Sequence, residues 1–176
     1  MPRENIAQLV DLGSFQEYWP LIVAKQHQRH DIETLRKNSP ADGVVAGTAS
    51  INGKYFDDQN SRALVVSYDY TVLAGTQGRR NHYKQDRLYD LANRFRLPIV
   101  LFSEGGGGRP GDDDTGPRVA FDTHTFTQFS KLSGLVPLIG VNNGRCFAGN
   151  TALLGCCDII IATEGSTIAM GGPAMI

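Results

Sequence analysis

Ser103-Glu104-Gly105-Gly106-Gly107-Gly108-Arg109 is the segment with the most chemical content. It follows the apolar run Pro98 to Phe102, so it stands where a buried strand ends and a loop begins, the place where open α/β sheets collect ligands. Four consecutive glycines leave bare backbone N–H groups that can approach a ligand or converge on an oxyanion; the alternative is a flexible loop. Gly144-Arg145-Cys146-Phe147-Ala148-Gly149-Asn150 has the same relation to the apolar run Pro137 to Val141. It offers N–H groups at the start of a helix, or simply lets helix and strand pack tightly. Two strand-end loops with exposed donors suit the stabilisation of an enolate or another oxyanion.

Arg79, Arg80, Lys84 and Arg87 place four cations in nine positions, with Asp86 and Asp90 as partial compensation. That grouping is either a local phosphate site or a solvated helix face. Gly106 to Gly111 matches a dinucleotide fingerprint literally, but Pro110 and then Asp112-Asp113-Asp114 follow it where a helix should open, and three carboxylates repel phosphate. Gly47 to Lys54 has one residue too many between its glycines for a phosphate-binding P-loop, and Tyr55 stands where a hydroxyl should hold magnesium. Asp112 to Asp114 reads as a solvated turn rather than a metal site. His27, His30, His82 and His124 accompany no nucleophile motif.

These residues need a scaffold of alternating strands and helices. Ser14 and Glu17 form a capping-box pattern that predicts a short helix through Phe15, Tyr18, Trp19, Leu21 and Ile22. His27 to Pro40 is charged and reads as a solvated helix or connector. Val44 to Ile51 predicts a strand, and Asn52-Gly53 predicts a hairpin to an antiparallel partner at Tyr55 or from Ala63 to Leu73. His82 to Phe95 carries Leu88, Leu91, Ala92 and Phe95 at helical spacing. Pro98 to Phe102, Pro137 to Val141 and Asp158 to Ala162 predict buried strands, separated by helices over Phe121 to Leu135 and Phe147 to Cys157. The expected division is an N-terminal helical segment over residues 1–40 and an α/β domain over 41–176.

The chain has 176 residues, 41% hydrophobic and 20% charged, with a net charge of −1. That composition excludes a disordered tail or coiled coil, and supplies no global basic field for nucleic acid. No stretch approaches the ~18 apolar residues of a membrane span, and the N-terminus lacks a signal-like apolar run. Cys146, Cys156 and Cys157 have no metal-binding spacing and read as buried thiols in a reducing cytosol, so the expected location is cytoplasmic.

Asp42-Gly43-Val44-Val45-x-Gly, Ile51-Asn52-Gly53-Lys54, Asp69-Tyr70-Thr71-Val72, the glycine loop ending in Arg109, the Gly144 to Gly149 turn, Asp158 and Gly172-Pro173 occur in a specific order and spacing. In that order the sequence resembles the carboxyltransferase component of biotin-dependent acyl-CoA carboxylases, of the propionyl-CoA carboxylase beta-subunit type. The resemblance implies a ClpP/crotonase-like fold of repeated ββα units, present as the first half of a carboxyltransferase. It implies transfer of a carboxyl group from carboxybiotin, on a separate carrier domain, to the α-carbon of an acyl-CoA enolate. By position it makes Gly106 and Gly107 the catalytic N–H donors to the thioester oxygen. It sets Phe147, Ala148 and Gly149 near acyl-CoA and biotin, and Lys84 and Arg87 near the CoA end; the cation cluster adds Arg79 and Arg80 as expected contacts of the phosphorylated end of CoA.

Glu104, Gly105 and Gly108 stand where the family usually has Asp-Ser and Ala around the glycine pair, and Phe147 and Ala148 replace smaller residues; both departures bear on the acyl pocket. The implied partners are a second carboxyltransferase half, a biotin carboxyl carrier and a biotin carboxylase, in a homo-oligomer without nucleic acid or membrane. The 176 residues alone are expected to be inactive. The alternatives are a crotonase-type enoyl-CoA hydratase or isomerase, for which Glu104 is the loop carboxylate, and a non-catalytic assembly module.

Overall fold

The computed structural model describes residues 1–113 and 123–172. Asp114, the start of the helix expected from Phe121, and Pro173 lie outside the described residues. The N-terminal stretch forms helix α1 (Pro2–Leu9), a two-residue strand β1 (Gln16–Glu17) and helix α2 (Ile32–Asn38). The helix expected from Ser14 is therefore β1, which pairs antiparallel with a core strand: Gln16 opposes Thr48. The Ser14 hydroxyl donates to Asp11 O rather than capping a helix. Residues 1–40 thus contribute to the same sheet as the rest of the chain.

β2 (Val44–Ser50) and β3 (Arg62–Tyr68) form the expected antiparallel pair, Val44 opposite Tyr68 and Ser50 opposite Arg62. Their connection is longer than a two-residue turn and includes the short helix α3 (Asp58–Ser61). Asn52 adopts φ +60 within it, a conformation that asparagine tolerates better than most residues. Helix α4 (Arg79–Phe95) then leads to β4 (Ile99–Phe102), helix α5 (His124–Ser130) to β5 (Leu138–Asn142), and β6 (Arg145–Phe147) with helix α6 (Gly149–Leu154) to β7 (Ile159–Ala162) and β8 (Thr167–Ala169).

The main sheet has the order β1-β2-β3-β4-β5-β7, parallel from β3 onward. A small second sheet pairs β6 with β8 in parallel, and single parallel bridges join Gly105 to Cys146 and Gln77 to Gly108. Strands β3, β4, β5 and β7 of the main sheet are each followed by an extended piece in this second layer; after the first three a helix comes next. This is the repeated ββα unit. β6 and β8 escape sequence inspection because three residues are too few to show a period.

Strand alternation divides the core. Val44, Ala46, Leu64, Val66, Ile99, Leu101 and Leu138 face α4, α5 and α6, meeting Leu88, Tyr89, Phe129 and Leu153. Val45, Ala49 and Val65 point to the other face and meet Ile6 of α1. β7 departs from its expected burial: Ile159, Ile160 and Ile161 are 57%, 48% and 54% exposed. It is the edge strand of the described sheet, bonded to β5 alone.

Candidate functional site

The glycine loop is rigid. Gly105 N–H donates to Arg145 O (2.8 Å) and Gly105 O accepts from Phe147 N–H (2.8 Å), which joins the loop to β6. Gln77 N–H donates to Gly107 O (2.6 Å) and Arg109 N–H to Gln77 O (3.0 Å), which joins it to the entry of α4. Gly107 has φ +85, and a Cβ on it would sit 2.6 Å from Ala148 Cβ, so this position excludes side chains on both counts. The same virtual Cβ lies 3.5 Å from Gly149 N, so the loop and the Ala148–Gly149 turn face each other across the width of a methyl group.

The two glycines singled out from position lie in this cradle, and both of their N–H groups are bonded within the protein. Gly106 N–H donates to Ala74 O (2.9 Å) and Gly107 N–H to Asn150 Oδ1 (3.0 Å). They support the loop's shape instead of binding an oxyanion. The neighbouring Gly108 is exposed, and among the described residues neither its N–H nor that of Gly149, the first residue of α6, has a partner. Phe147 is buried with its N–H on Gly105 O, and Ala148, at φ +49, donates to Ala169 O (3.1 Å). Which N–H turns outward depends on pairing with Ala74 and Asn150, partners 32 and 43 residues away, so no local pattern could have shown it.

Asp112 and Asp113, expected to be solvated, are 8% and 6% exposed. Asp112 Oδ2 accepts from Arg79 N–H at the first turn of α4 (3.0 Å), its Oδ1 from Gln26 Nε2 (3.2 Å), and Asp113 Oδ2 from Gln28 N–H (2.8 Å). Buried carboxylates demand partners, and this pair finds them in the helix start and the N-terminal segment. The Arg109 side chain is 2% exposed and pairs with Asp42, itself fully buried, while donating to Thr76 O (2.7 Å). Among the described residues no cluster of three His, Cys, Asp or Glu side chains could hold a metal.

The cations separate. Arg79 and Arg87 are exposed on α4 and Arg80 is half-buried; Arg87 Nη2 donates to Tyr83 Oη (3.1 Å) and its guanidinium lies 5.0 Å from the Tyr83 ring centre. Lys84 leaves this set. It is 1% exposed and its Nζ donates to Val44 O (2.6 Å), because its position on α4 points into the core beside β2. Burial pushes its pKa down to about 8 from 10.5, with Glu17 and Asp42 pulling it back up and Arg3 acting in the same direction as burial.

Between those two values the unfolded chain binds the proton that the folded chain has released, so this group makes stability rise with pH. Its stabilising share is complete above about 10.5 and is lost as pH falls through about 8. Urea titrations at pH 7 and pH 10 are expected to show Lys84→Met losing most of that rise, up to about 3 kcal/mol relative to the parent. Equal slopes in both proteins would mean that Lys84 stays charged when folded.

Glu104 is half-buried and its Oε1 accepts from Asn143 N–H (2.7 Å), which commits it to the β5–β6 turn. Cys146 is buried and its thiol is pushed up; burial pushes Cys157 up to about 12, so neither is a thiolate nucleophile near neutrality.

The carboxyl transferase domain family matches residues 1–176. The propionyl-CoA carboxylase beta chain of Roseobacter denitrificans is 28% identical over 177 residues, covering 99% of this chain and 32% of the relative. A single-chain, multi-domain long-chain acyl-CoA carboxylase superposes with TM-score 0.93 at 58% identity over 99% of this chain and 17% of that one. A transcarboxylase 12S hexamer crystallised with hydrolysed methylmalonyl-CoA superposes with TM-score 0.77 at 28% identity, covering 99% and 32%. These likenesses give the fold as crotonase-like and partial. The chain spans about a third of the length of the curated relatives it matches.

Proposed function

Because the chain belongs to the carboxyl transferase domain family, we propose that it is the acyl-CoA-holding half of the carboxyltransferase in a biotin-dependent acyl-CoA carboxylase. The observation that carries this is the pair of N–H groups, Gly108 and Gly149, that have no partner among the described residues and flank the close approach of Gly107 to Ala148. They take over the role first given to Gly106 and Gly107. Carboxybiotin, on a separate carrier domain, supplies the carboxyl group. This chain's part is to hold the thioester oxygen as negative charge grows on it, which lowers the barrier to forming the α-carbanion. Gly106, Gly107 and Asn150 keep the cradle open, and Arg79, Arg80 and Arg87 receive the phosphorylated end of CoA.

The proposed partners are a second carboxyltransferase half, a biotin carboxyl carrier and a biotin carboxylase, within a homo-oligomer. Among the described residues no helix is long and apolar enough to cross a membrane. A cytoplasmic location is proposed from the three free cysteines. The residues 1–176 alone lack half of the site and should not turn over. For the hydratase reading Glu104 remains the loop carboxylate, with Oε1 accepting from Asn143 N–H.

The test is carboxyl transfer between biotin and acyl-CoA by the full-length chain. Arg79→Ala with Arg80→Ala is expected to raise KM for the CoA ester about tenfold, with kcat little changed and the difference shrinking at high salt. Hydration of an enoyl-CoA without biotin, and no transfer, would replace this reading by the hydratase.

A further inference from the structure

A buried line of polar side chains ends at the glycine cradle, and its polarity is set at the far end. Asp42 O can only accept, so Asn81 donates to it through Nδ2 (3.1 Å) and keeps Oδ1 as an acceptor for Gln85 Nε2 (2.5 Å). Gln85 Oε1 then accepts both Tyr68 Oη (2.9 Å) and Tyr89 Oη (2.7 Å). With its proton spent, Tyr68 Oη accepts from Gln77 Nε2 (2.8 Å). The Gln77 amide cannot turn over without breaking this chain, so its Oε1 is held against Gly149, closer than any Cβ there would tolerate. Asn81, Gln85, Tyr68, Tyr89 and Gln77 are all at most 4% exposed, and the Gln77 amide bonds through Nε2, with no partner for Oε1 among the described residues. Unlike Asp42 Oδ2, Gln77 Oε1 is not closed off from solvent, so it is an oriented acceptor that a ligand can reach.

Gln77 also bonds through its own backbone to Gly107 and Arg109 on either side of Gly108. One residue therefore sets the outward N–H of Gly108 and presents an acceptor beside Gly149. An acceptor next to two donors is complementary to a carbonyl flanked by an N–H. That is an amide or a urea; a thioester alone has no donor to give.

We propose that Gln77 Oε1 is a specificity contact that accepts a hydrogen bond from an amide or ureido N–H of the ligand seated at Gly108 and Gly149. The inference rests on the carboxyltransferase reading. Two components of that reaction carry this chemistry, the ureido ring of biotin and the amides of the pantetheine arm, and the experiment separates them.

Calorimetric titration of the full-length chain, parent and Gln77→Leu, uses two ligand pairs. One pair is biotin methyl ester and its form methylated at the ureido nitrogens. The other is an S-acyl pantetheine and its analogue in which an ester replaces the amide nearest sulfur. Gln77→Leu is expected to weaken the N–H ligand of one pair about fivefold to tenfold and to leave its N–H-free counterpart unchanged. Tyr68→Phe, which frees the amide to turn while retaining Gln77, should give a smaller loss with the same N–H dependence. It decides the matter if Gln77→Leu does not fold.

A loss of equal size for N–H-bearing and N–H-free ligands in both pairs overturns the contact and leaves Gln77 as packing, and so does no loss at all. A parent protein that binds neither pair refutes the carboxyltransferase reading itself, and this inference with it.

Discussion

Gly108→Pro is expected to lower kcat for carboxyl transfer by about 100-fold to 1000-fold while the protein stays folded, the usual cost of deleting one oxyanion donor. Proline removes the N–H outright. In this loop that deletion breaks no hydrogen bond among the described residues, since Gly108 N–H has no partner there. The position is also open: nothing lies within 4 Å of a Cβ there, and Gly108 is not among the glycines with positive φ. Gly108→Ala keeps the N–H and should lose far less. Equal rates for the proline and alanine variants, both folded by circular dichroism, would take the donor role away from Gly108. Gly107→Val is a poorer probe, because its Cβ would collide with Ala148 Cβ at a left-handed backbone position and disturb the loop directly.

The second large effect is on stability. Arg109→Met is expected to cost about 3–5 kcal/mol in urea unfolding, because it leaves the Asp42 carboxylate buried without its counter-charge. Asp42 Oδ2 has no hydrogen bond among the described residues, and Asp112 lies 3.7 Å from Arg109 Nη1 as a second carboxylate sharing the guanidinium. Burial pushes the Asp42 pKa up and Arg109 pulls it back down, so removing Arg109 raises it further. A carboxyl raised in the folded state is most favourable below its unfolded value and loses that advantage as pH climbs through the folded one. The deficit of Arg109→Met should therefore be larger at pH 7 than at pH 4.5. Replacing both partners, Arg109→Met with Asp42→Leu, should recover part of the loss, because no orphaned charge remains. A single-variant cost below about 1 kcal/mol would show that water reaches Asp42 and screens it.

The hydrogen bonds of Arg109 to Thr76 and Asp42 have a functional side. They fix the residue that follows Gly108, as Gln77 fixes those on either side of it. Stability and catalysis meet at one short segment, where four glycines bring their backbone against Ala74, Asn150 and Gln77 without a side chain intervening.

Much of the scaffold was legible in local pattern. β4 and β5 show as apolar runs because strands buried on both faces need no alternation. α4 shows through Leu88 and Ala92 at helical spacing, and the β2–β3 pair through β-branched residues around Asn52-Gly53. The family is also written locally, in ordered motifs that end in a glycine loop and a small-residue turn at two strand ends. Local pattern misleads where a distant partner outweighs it. Ser14 and Glu17 look like a helix start, yet β2 offers Gln16 and Glu17 an edge to pair with. The apolar run at Ile159 predicts burial, but cover depends on what packs across β7, and apolar composition carries no record of that.

Charge and hydrogen-bond direction follow the same division. Lys84 in a row of cations reads as a phosphate ligand, but only about half a helical turn separates the solvent face of α4 from its core face, and the choice between them depends on where β2 lies. Asp112 reads as a solvated turn until Arg109 and the start of α4 are folded against it. Sequence names the glycines because their conformational freedom is intrinsic to the residue. The direction of each N–H is a vector property of the folded backbone, set for Gly106 by Ala74 and for Gly107 by Asn150, so the donors left for a ligand emerge when those distant segments close around the loop.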